Sequence, residues 1–347
     1  MTARGSSPVR PTLRQVASLS GVSIKTASRV LNDEQYVAEA TARRVRSAAA
    51  QLGFRPNTLA RDFRAGARST SVGLIIGDVA NPFYARIARG AERRLRAAGM
   101  QLITASTDED EKFERALIGD MLERRLRALM VVSSDAEHAY LDAERRHGTP
   151  IVFLDRPPRD LVADSVVLDN VGGVRRAVEH FVEHKHRRIA LVGDLSRLST
   201  QRERFAAFRD TMIASGITKW DRYVRSDSHD VDAAQCAVTQ LLDDQPAPTA
   251  LLTTNNRITI GALRALRDVP DPPALIGFDD FELAELLGIS VVAHDPERMG
   301  GLGADLVLNR LEHPDRTPQH KVLPTTLVTR GSGERRPLRS VRANSRS

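Results

Sequence analysis

Residues 21–32 read GVSIKTASRVLN: a glycine, then a short helical period with Ala27, Val30 and Leu31 on one side and Lys25, Ser28 and Arg29 on the other. Leu13, Val16 and Ala17 share a helical face just before it, and Val45, Ala48, Ala49 and Leu52 share one just after it. Each apolar stripe is too short to hold a helix alone, so the three must pack on one another. Thr12 and Ser23 have N-cap chemistry, and Gly21 stands where a tight turn needs positive φ. The spacing predicts a helix-turn-helix.

Charge is distributed to match. Residues 1–70 carry 12 Lys/Arg against 4 Asp/Glu, and residues 334–347 carry 5 against 1, so an overall +7 leaves residues 71–333 at −5. Cationic ends on a mildly acidic body suit nucleic-acid binding, with a generally arginine-rich composition as the competing explanation. If the second helix enters a DNA major groove, Ile24, Lys25 and Arg29 face base edges, while Thr26, Ser28 and the helix N-terminus at Ser23 approach phosphates. The competing reading is a small helical subdomain with a solvated basic face.

At 347 residues the chain has material for two or three domains. It has no run of about 18 apolar residues, so a membrane span is not expected. The opening MTARGSSPVRPT has no apolar core of a secretion signal, and the single Cys236 cannot form an internal disulfide. Both fit a cytoplasmic protein.

From residue 71 the pattern changes. SVGLIIGDV, QLITAST, ALMVVSS, PIVFLDR, SVVLDN, RIALVGD, TALLTT, ALIGFDD and SVVAHD read as strands alternating mostly with amphipathic helices. Continuous Val/Ile/Leu runs indicate parallel sheets covered on both faces, and so many strands are better shared between two sheets than placed in one. The intervening FRPNTLARDFRAGARST reads as a basic linker with a turn or two of helix.

Ligands in such sheets gather beyond the carboxyl ends of strands, where Asp78, Ser134, Asp155, Asp194, Asn255 and Asp279 fall. Taken singly, each is as well explained as a cap or turn residue, as Asn81 before Pro82 illustrates. HFVEHKH puts His180 and His184 four apart with His186 nearby, but it lacks the glutamate of a zinc helix and reads as a solvated helix end. Phosphate-loop, dinucleotide and nucleophile-elbow signatures are absent, so neither a cofactor nor a catalytic residue is expected.

Over roughly residues 12–333 the chain resembles the LacI/GalR family of bacterial transcription regulators. The resemblance rests on TLRQVASLSGVSIKTASRVLN, LGFRPNTLAR, VGLIIGDVANPFYARIARG, VVLDNVGG, HRRIALVG, TTNNRITIGALRAL, ALIGFDD and LPTTLVTRGS in this order. It implies an all-α helix-turn-helix headpiece, a hinge helix, and a two-lobed α/β core like periplasmic binding proteins, with parallel sheets covered by helices. It also implies a homodimer on double-stranded operator DNA, controlled by a small effector between the lobes. By position, Ile24, Lys25 and Arg29 correspond to the family's base readers. Asn57, Leu59, Ala60 and Phe63 belong to the hinge, with Phe63 at the minor-groove wedge. Phe83, Tyr84, Asp155, Thr200, Arg204, His229, Asn255 and Asp279 fall at effector-contact positions. Leu198 replaces the arginine of purine-responsive members, which disfavours a purine.

The expected layout is a disordered arm over 1–11, the headpiece over 12–55 and the hinge over 56–70. The core follows over 71–333, with lobe 1 at about 71–167 and 296–322, lobe 2 at about 168–295 and 323–333, and a disordered basic tail over 334–347. The expected function is a repressor sensing a sugar or related polyol. A two-lobed enzyme acting on sugars or nucleotides, with a basic arm, is the alternative.

Overall fold

A computed structural model describes residues 11–32, 34, 37–55, 69–134 and 137–337. The chain divides into two units, residues 1–69 and 70–347. The first contains α1 (Leu13–Ser20), α2 (Ile24–Leu31) and α3 (Glu39–Leu52). Thr12 and Gln15 form a capping box on α1, and the Ser23 hydroxyl accepts from the Thr26 amide at 3.0 Å. Gly21 adopts φ 65°, a left-handed conformation that lets α2 leave α1 within two residues. Val16, Ala27, Val30, Val45 and Ala48 close a small core in which no single stripe is sufficient.

The second unit is built on two six-stranded sheets. In lobe 1, β1 (Ser71–Ile76), β2 (Gln101–Ser106), β3 (Ala128–Val131), β4 (Ile151–Asp155), β5 (Asp164–Leu168) and β11 (His320–Leu323) run parallel in the order β11-β5-β4-β3-β1-β2. In lobe 2, β6 (Ile189–Val192), β7 (Val224–Arg225), β8 (Ala250–Thr253), β9 (Ala274–Phe278), β10 (Ser290–Ala293) and β12 (Thr326–Val328) lie in the order β12-β10-β9-β8-β6-β7. Only β12 is antiparallel to its neighbour there. β3, β4, β5, β6, β8 and β9 are buried throughout, as two-sided coverage requires.

Lobe 1 is flanked by α4 (Pro82–Ala97), α5 (Glu111–Glu123), α6 (Asp142–Arg146) and α12 (Pro296–Glu312). Lobe 2 carries α7 (Asn170–Glu183), α8 (Ser199–Ala214), α9 (Val231–Asp243), α10 (Asn256–Leu266) and α11 (Glu282–Leu286). The chain crosses between lobes after β5, after β10 and between β11 and β12. α4 and α12 approach backbone to backbone: a Cβ on Gly90 would strike the Glu297 carbonyl, and one on Gly300 the Ile87 carbonyl. Among the described residues no helix is long and apolar enough to cross a membrane.

Two sequence expectations need correction. His180 and His186 are not solvated: His186 is fully buried, and the two rings tie down the chain end. His180 Nε2 meets Glu334 Oε1 at 2.7 Å, and His186 Nε2 donates to the Arg335 carbonyl at 2.7 Å. The segment expected to be disordered from residue 334 is therefore anchored at its start, with Glu334 also accepting from the Ser290 hydroxyl at 3.0 Å. Residues 1–10 and 338–347, and the hinge positions Asn57, Leu59, Ala60 and Phe63, lie outside the described residues.

Candidate functional site

On α2, Ala27 and Val30 are buried while Ser23, Ile24, Lys25 and Arg29 are exposed, with Thr26 and Ser28 half-buried. Ile24 is a β-branched apolar side chain left 45% exposed at the helix N-terminus. Among the described residues Arg29 has a loose, solvated pairing with Glu34 at 3.6 Å. The helix therefore presents one apolar and two cationic side chains from a rigidly capped base.

In the second unit the carboxyl ends of β1, β4, β6, β8 and β9 converge on a cavity between the lobes, with about 470 Å³ of space free of protein atoms. Phe83, Tyr84, Asp155, Thr200, Arg204, His229, Asn255 and Asp279, scattered over nearly 200 residues of sequence, all line it. Six more residues join them: Asp78, Asn81, Glu109, Arg156, Asp194 and Arg257. Asp78 and Asp194 stood at strand ends in sequence, and Asn81 is indeed an N-cap, accepting from the Phe83 amide at 3.0 Å. The same Asn81 oxygen also accepts from Asn256 Nδ2 of the other lobe at 2.9 Å.

Asp155 and Asp279 face the cavity from opposite lobes in left-handed backbone, φ 64° and 69°, and Glu109 does so at φ 59°. Three cavity carboxylates are thus held in a conformation that most side chains avoid, as residues at ligand sites often are. Burial pushes the Asp155 carboxyl up, opposed by the guanidiniums of Arg156 and Arg204. Asp279 is held by His294, whose Nε2 lies 2.8 Å from Oδ1.

Arg204 is 7% exposed, lies 3.8 Å over the Phe278 ring, and donates to Asn170 Oδ1 at 2.8 Å. Its position is fixed without a carboxylate. Arg156 is fixed by one: it grips Glu109 through NH1 and NH2 at 2.6 and 3.0 Å and donates to the Tyr84 hydroxyl at 3.1 Å, which in turn donates to Glu109 at 3.0 Å. Burial opposes the charge on Arg156, but Glu109 outweighs it and holds the guanidinium pKa well above its ordinary value. Burial also drives the Tyr84 phenol well above its usual range.

Asp194 accepts from His229 Nδ1 at 2.6 Å and from Asn255 Nδ2 at 2.8 Å. The His229 bond raises the imidazole pKa against the effect of burial. Burial pushes Asp194 up, yet the His229 bond and charge prevail and leave it lowered. Arg257 pairs with Asp78 across the lobes, and Arg197 reaches over to donate to the Ser134 carbonyl at 2.8 Å. Glu109, Arg156, Arg197, Arg257 and His294 gave no signal in sequence, because each acquires its role from a partner far away in the chain.

A capped reading helix and a two-lobed α/β core closing around a polar cavity define an effector-controlled DNA-binding regulator. The comparisons agree. Residues 12–57 match the model for bacterial regulatory proteins of the lacI family, and residues 178–333 match that for a periplasmic binding protein-like domain. The regulator PtxS of Pseudomonas aeruginosa is 32% identical over 93% of this chain and 96% of its own. The ribose operon repressor of Escherichia coli is 28% identical over 92% of this chain and 99% of its own. The solved complex of the regulator CelR with cellobiose, 29% identical, superposes with TM-score 0.69 over 93% of this chain and 100% of that one. The chain belongs to the LacI family of bacterial transcriptional regulators. That family consists of regulators, so the alternative of a two-lobed enzyme does not hold.

Proposed function

We propose that the chain is a cytoplasmic, homodimeric repressor of a pseudo-palindromic operator, controlled by an uncharged sugar or related polyol held between its lobes. The headpiece is assigned to residues 12–55, the hinge to 56–70, and the core to 71–333. Ile24, Lys25 and Arg29 read bases, Ser23, Thr26 and Ser28 meet phosphates, and Asn57, Leu59, Ala60 and Phe63 belong to the hinge that docks in the minor groove.

The observation that carries the effector class is the charge of the cavity. Five carboxylates line it against three guanidiniums and His229; Arg156 pairs with Glu109, Arg257 with Asp78 and His229 with Asp194, which leaves Asp155 and Asp279 facing Arg204 alone. A phosphorylated or carboxylate ligand meets an excess of like charge. Hydroxyls meet acceptors at Asp155 and Asp279 and a donor at Arg204, while Phe83 and Tyr84 supply aromatic lining suited to the C–H surface of a sugar. Leu198 stands where purine-responsive members of the family carry an arginine, which argues against a purine. The related ribose operon repressor and the cellobiose complex of CelR support the same class.

Dimerisation is supported by α11, where Leu283, Leu286 and its neighbour Leu287 are 54%, 79% and 54% exposed, an apolar patch suited to a second copy. A two-fold dimer with one reading helix per subunit requires two symmetric half-sites.

The test is a thermal-shift series on the full-length protein with uncharged pentoses, hexoses and polyols beside their monophosphates, repeated on Asp279→Ala. An uncharged sugar raises the wild-type midpoint and leaves the variant unmoved. Stabilisation by a monophosphate alone, lost in the same variant, overturns the assignment.

A further inference from the structure

Lobe 2 has a second concavity, at the end of its sheet opposite the effector cavity. Arg187 and Arg188 precede β6, Lys219 and Arg222 precede β7, and residues 245–249 precede β8. The four-residue strands β6 and β8 separate the two ends by about 13 Å. Arg187, Arg188, Lys219 and Arg222, with Ser215 and Tyr223, line an open groove of about 1190 Å³.

Among the described residues none of these four cations forms an ion pair with a carboxylate. Arg187 donates to the Ser215 carbonyl at 2.7 Å, Arg188 Nε to the Ala247 carbonyl at 2.7 Å, and Arg222 to the Gln245 carbonyl at 2.9 Å. Arg222 also lies 5.0 Å over the Tyr223 ring. Lys219 is exposed and enters no hydrogen bond or ion pair among the described residues. Many other arginines of the core meet acids, Arg94 with Asp305, Arg145 with Asp142, Arg264 with Asp232, Arg310 with Asp164 and Arg330 with Asp280. Arg197 and Arg204, like the groove cations, do not among the described residues, and they sit at the effector cavity and its edge.

The difference is physical. A carboxylate cancels a guanidinium charge, whereas a carbonyl orients the group and leaves its charge and remaining N–H donors available. Acids are not scarce in this body, which carries net −5 over residues 71–333. The two nearest in sequence do not serve the groove: Asp244 is taken by Arg225 at 3.0 Å, and Asp221 is not among the lining residues.

We propose that this groove is a second ligand site, for a small molecule bearing two phosphoryl groups, separate from the sugar cavity. Three planar guanidinium forks from two segments suit the oxygens of two phosphoryl groups, and Lys219 adds a flexible point charge at the rim. The groove accepts the charge class that the effector cavity repels.

The experiment is calorimetric titration of the full-length protein, saturated with operator duplex to occupy the headpiece, with inorganic pyrophosphate at about 0.15 M salt. Lys219→Gln and the double variant Arg187→Gln/Arg222→Gln are compared with wild type. Lys219 makes no hydrogen bond or ion pair among the described residues, so its variant is expected to retain the fold. The proposal expects one pyrophosphate per chain, and affinity reduced about tenfold or more in the double variant and less in Lys219→Gln. Equal affinity in all three proteins overturns it. So does the absence of binding while duplex is present, which would place any anion binding at the DNA-reading surface.

Discussion

Arg257, at the start of α10 in lobe 2, pairs with Asp78, just past β1 in lobe 1, so the two lobes are joined by a charged contact at the mouth of the effector cavity. The neighbouring Asn256 donates to Asn81 at 2.9 Å, again from lobe to lobe. Both contacts span the lobes, so a rotation that parts the lobes would break them. An effector enclosed between the lobes and these contacts thus favour the same arrangement.

Arg257→Gln is expected to weaken effector binding about two- to fivefold, the scale of a partly exposed ion pair, with little effect on the unfolding midpoint of the free protein. Calorimetry on wild type and variant checks this. Unchanged affinity would show that the pair does not bias closure.

For the headpiece, Arg29→Ala should cost about 1–3 kcal/mol on the best operator and much less on random duplex, as for a side chain that reads a base. Fluorescence anisotropy on both duplexes makes the comparison. Equal losses would reduce Arg29 to a phosphate contact.

The His229–Asp194 pair gives the core a pH signature. His229 is raised from its ordinary 6.5, so its contribution is fully present below 6.5 and is lost as pH rises through the folded value. Asp194 is lowered from 3.8, so its contribution is present above 3.8 and is lost as pH falls through the folded value. The pair therefore supports stability most between these limits. Denaturant titrations of wild type and His229→Gln should differ most at mildly acidic pH and converge on the alkaline side. A difference that stays constant across that range would show that protonation of the pair is not linked to stability.

Much of this was legible in sequence, for reasons that also mark where legibility ends. The three headpiece helices announce themselves by stripes that cannot stand alone and by Gly21. The buried strands announce themselves as Val/Ile/Leu runs such as ALMV and IVFLD. β7, β11 and β12 do not, since two to four residues at sheet edges carry no continuous apolar run. Strand-end carboxylates such as Asp155 and Asp279 could be found because position in an α/β sheet implies exposure to the cleft. Glu109 and Arg156 could not, since they are 47 residues apart and pair through space. His180 was misread for the same reason: its partner Glu334 is 154 residues away.

The central claim is that the cavity and the headpiece are coupled. The most direct test measures operator affinity of the full-length protein with and without the sugar that stabilises it, and sugar affinity with and without operator, in wild type, Arg204→Ala and Asp279→Ala. Reciprocal linkage requires the same factor in both directions for wild type. Both variants should bind operator as wild type does and show no response to sugar at the concentration that shifts wild type. A variant that still responds at unchanged sugar concentration would contradict the cavity assignment, even with operator binding intact.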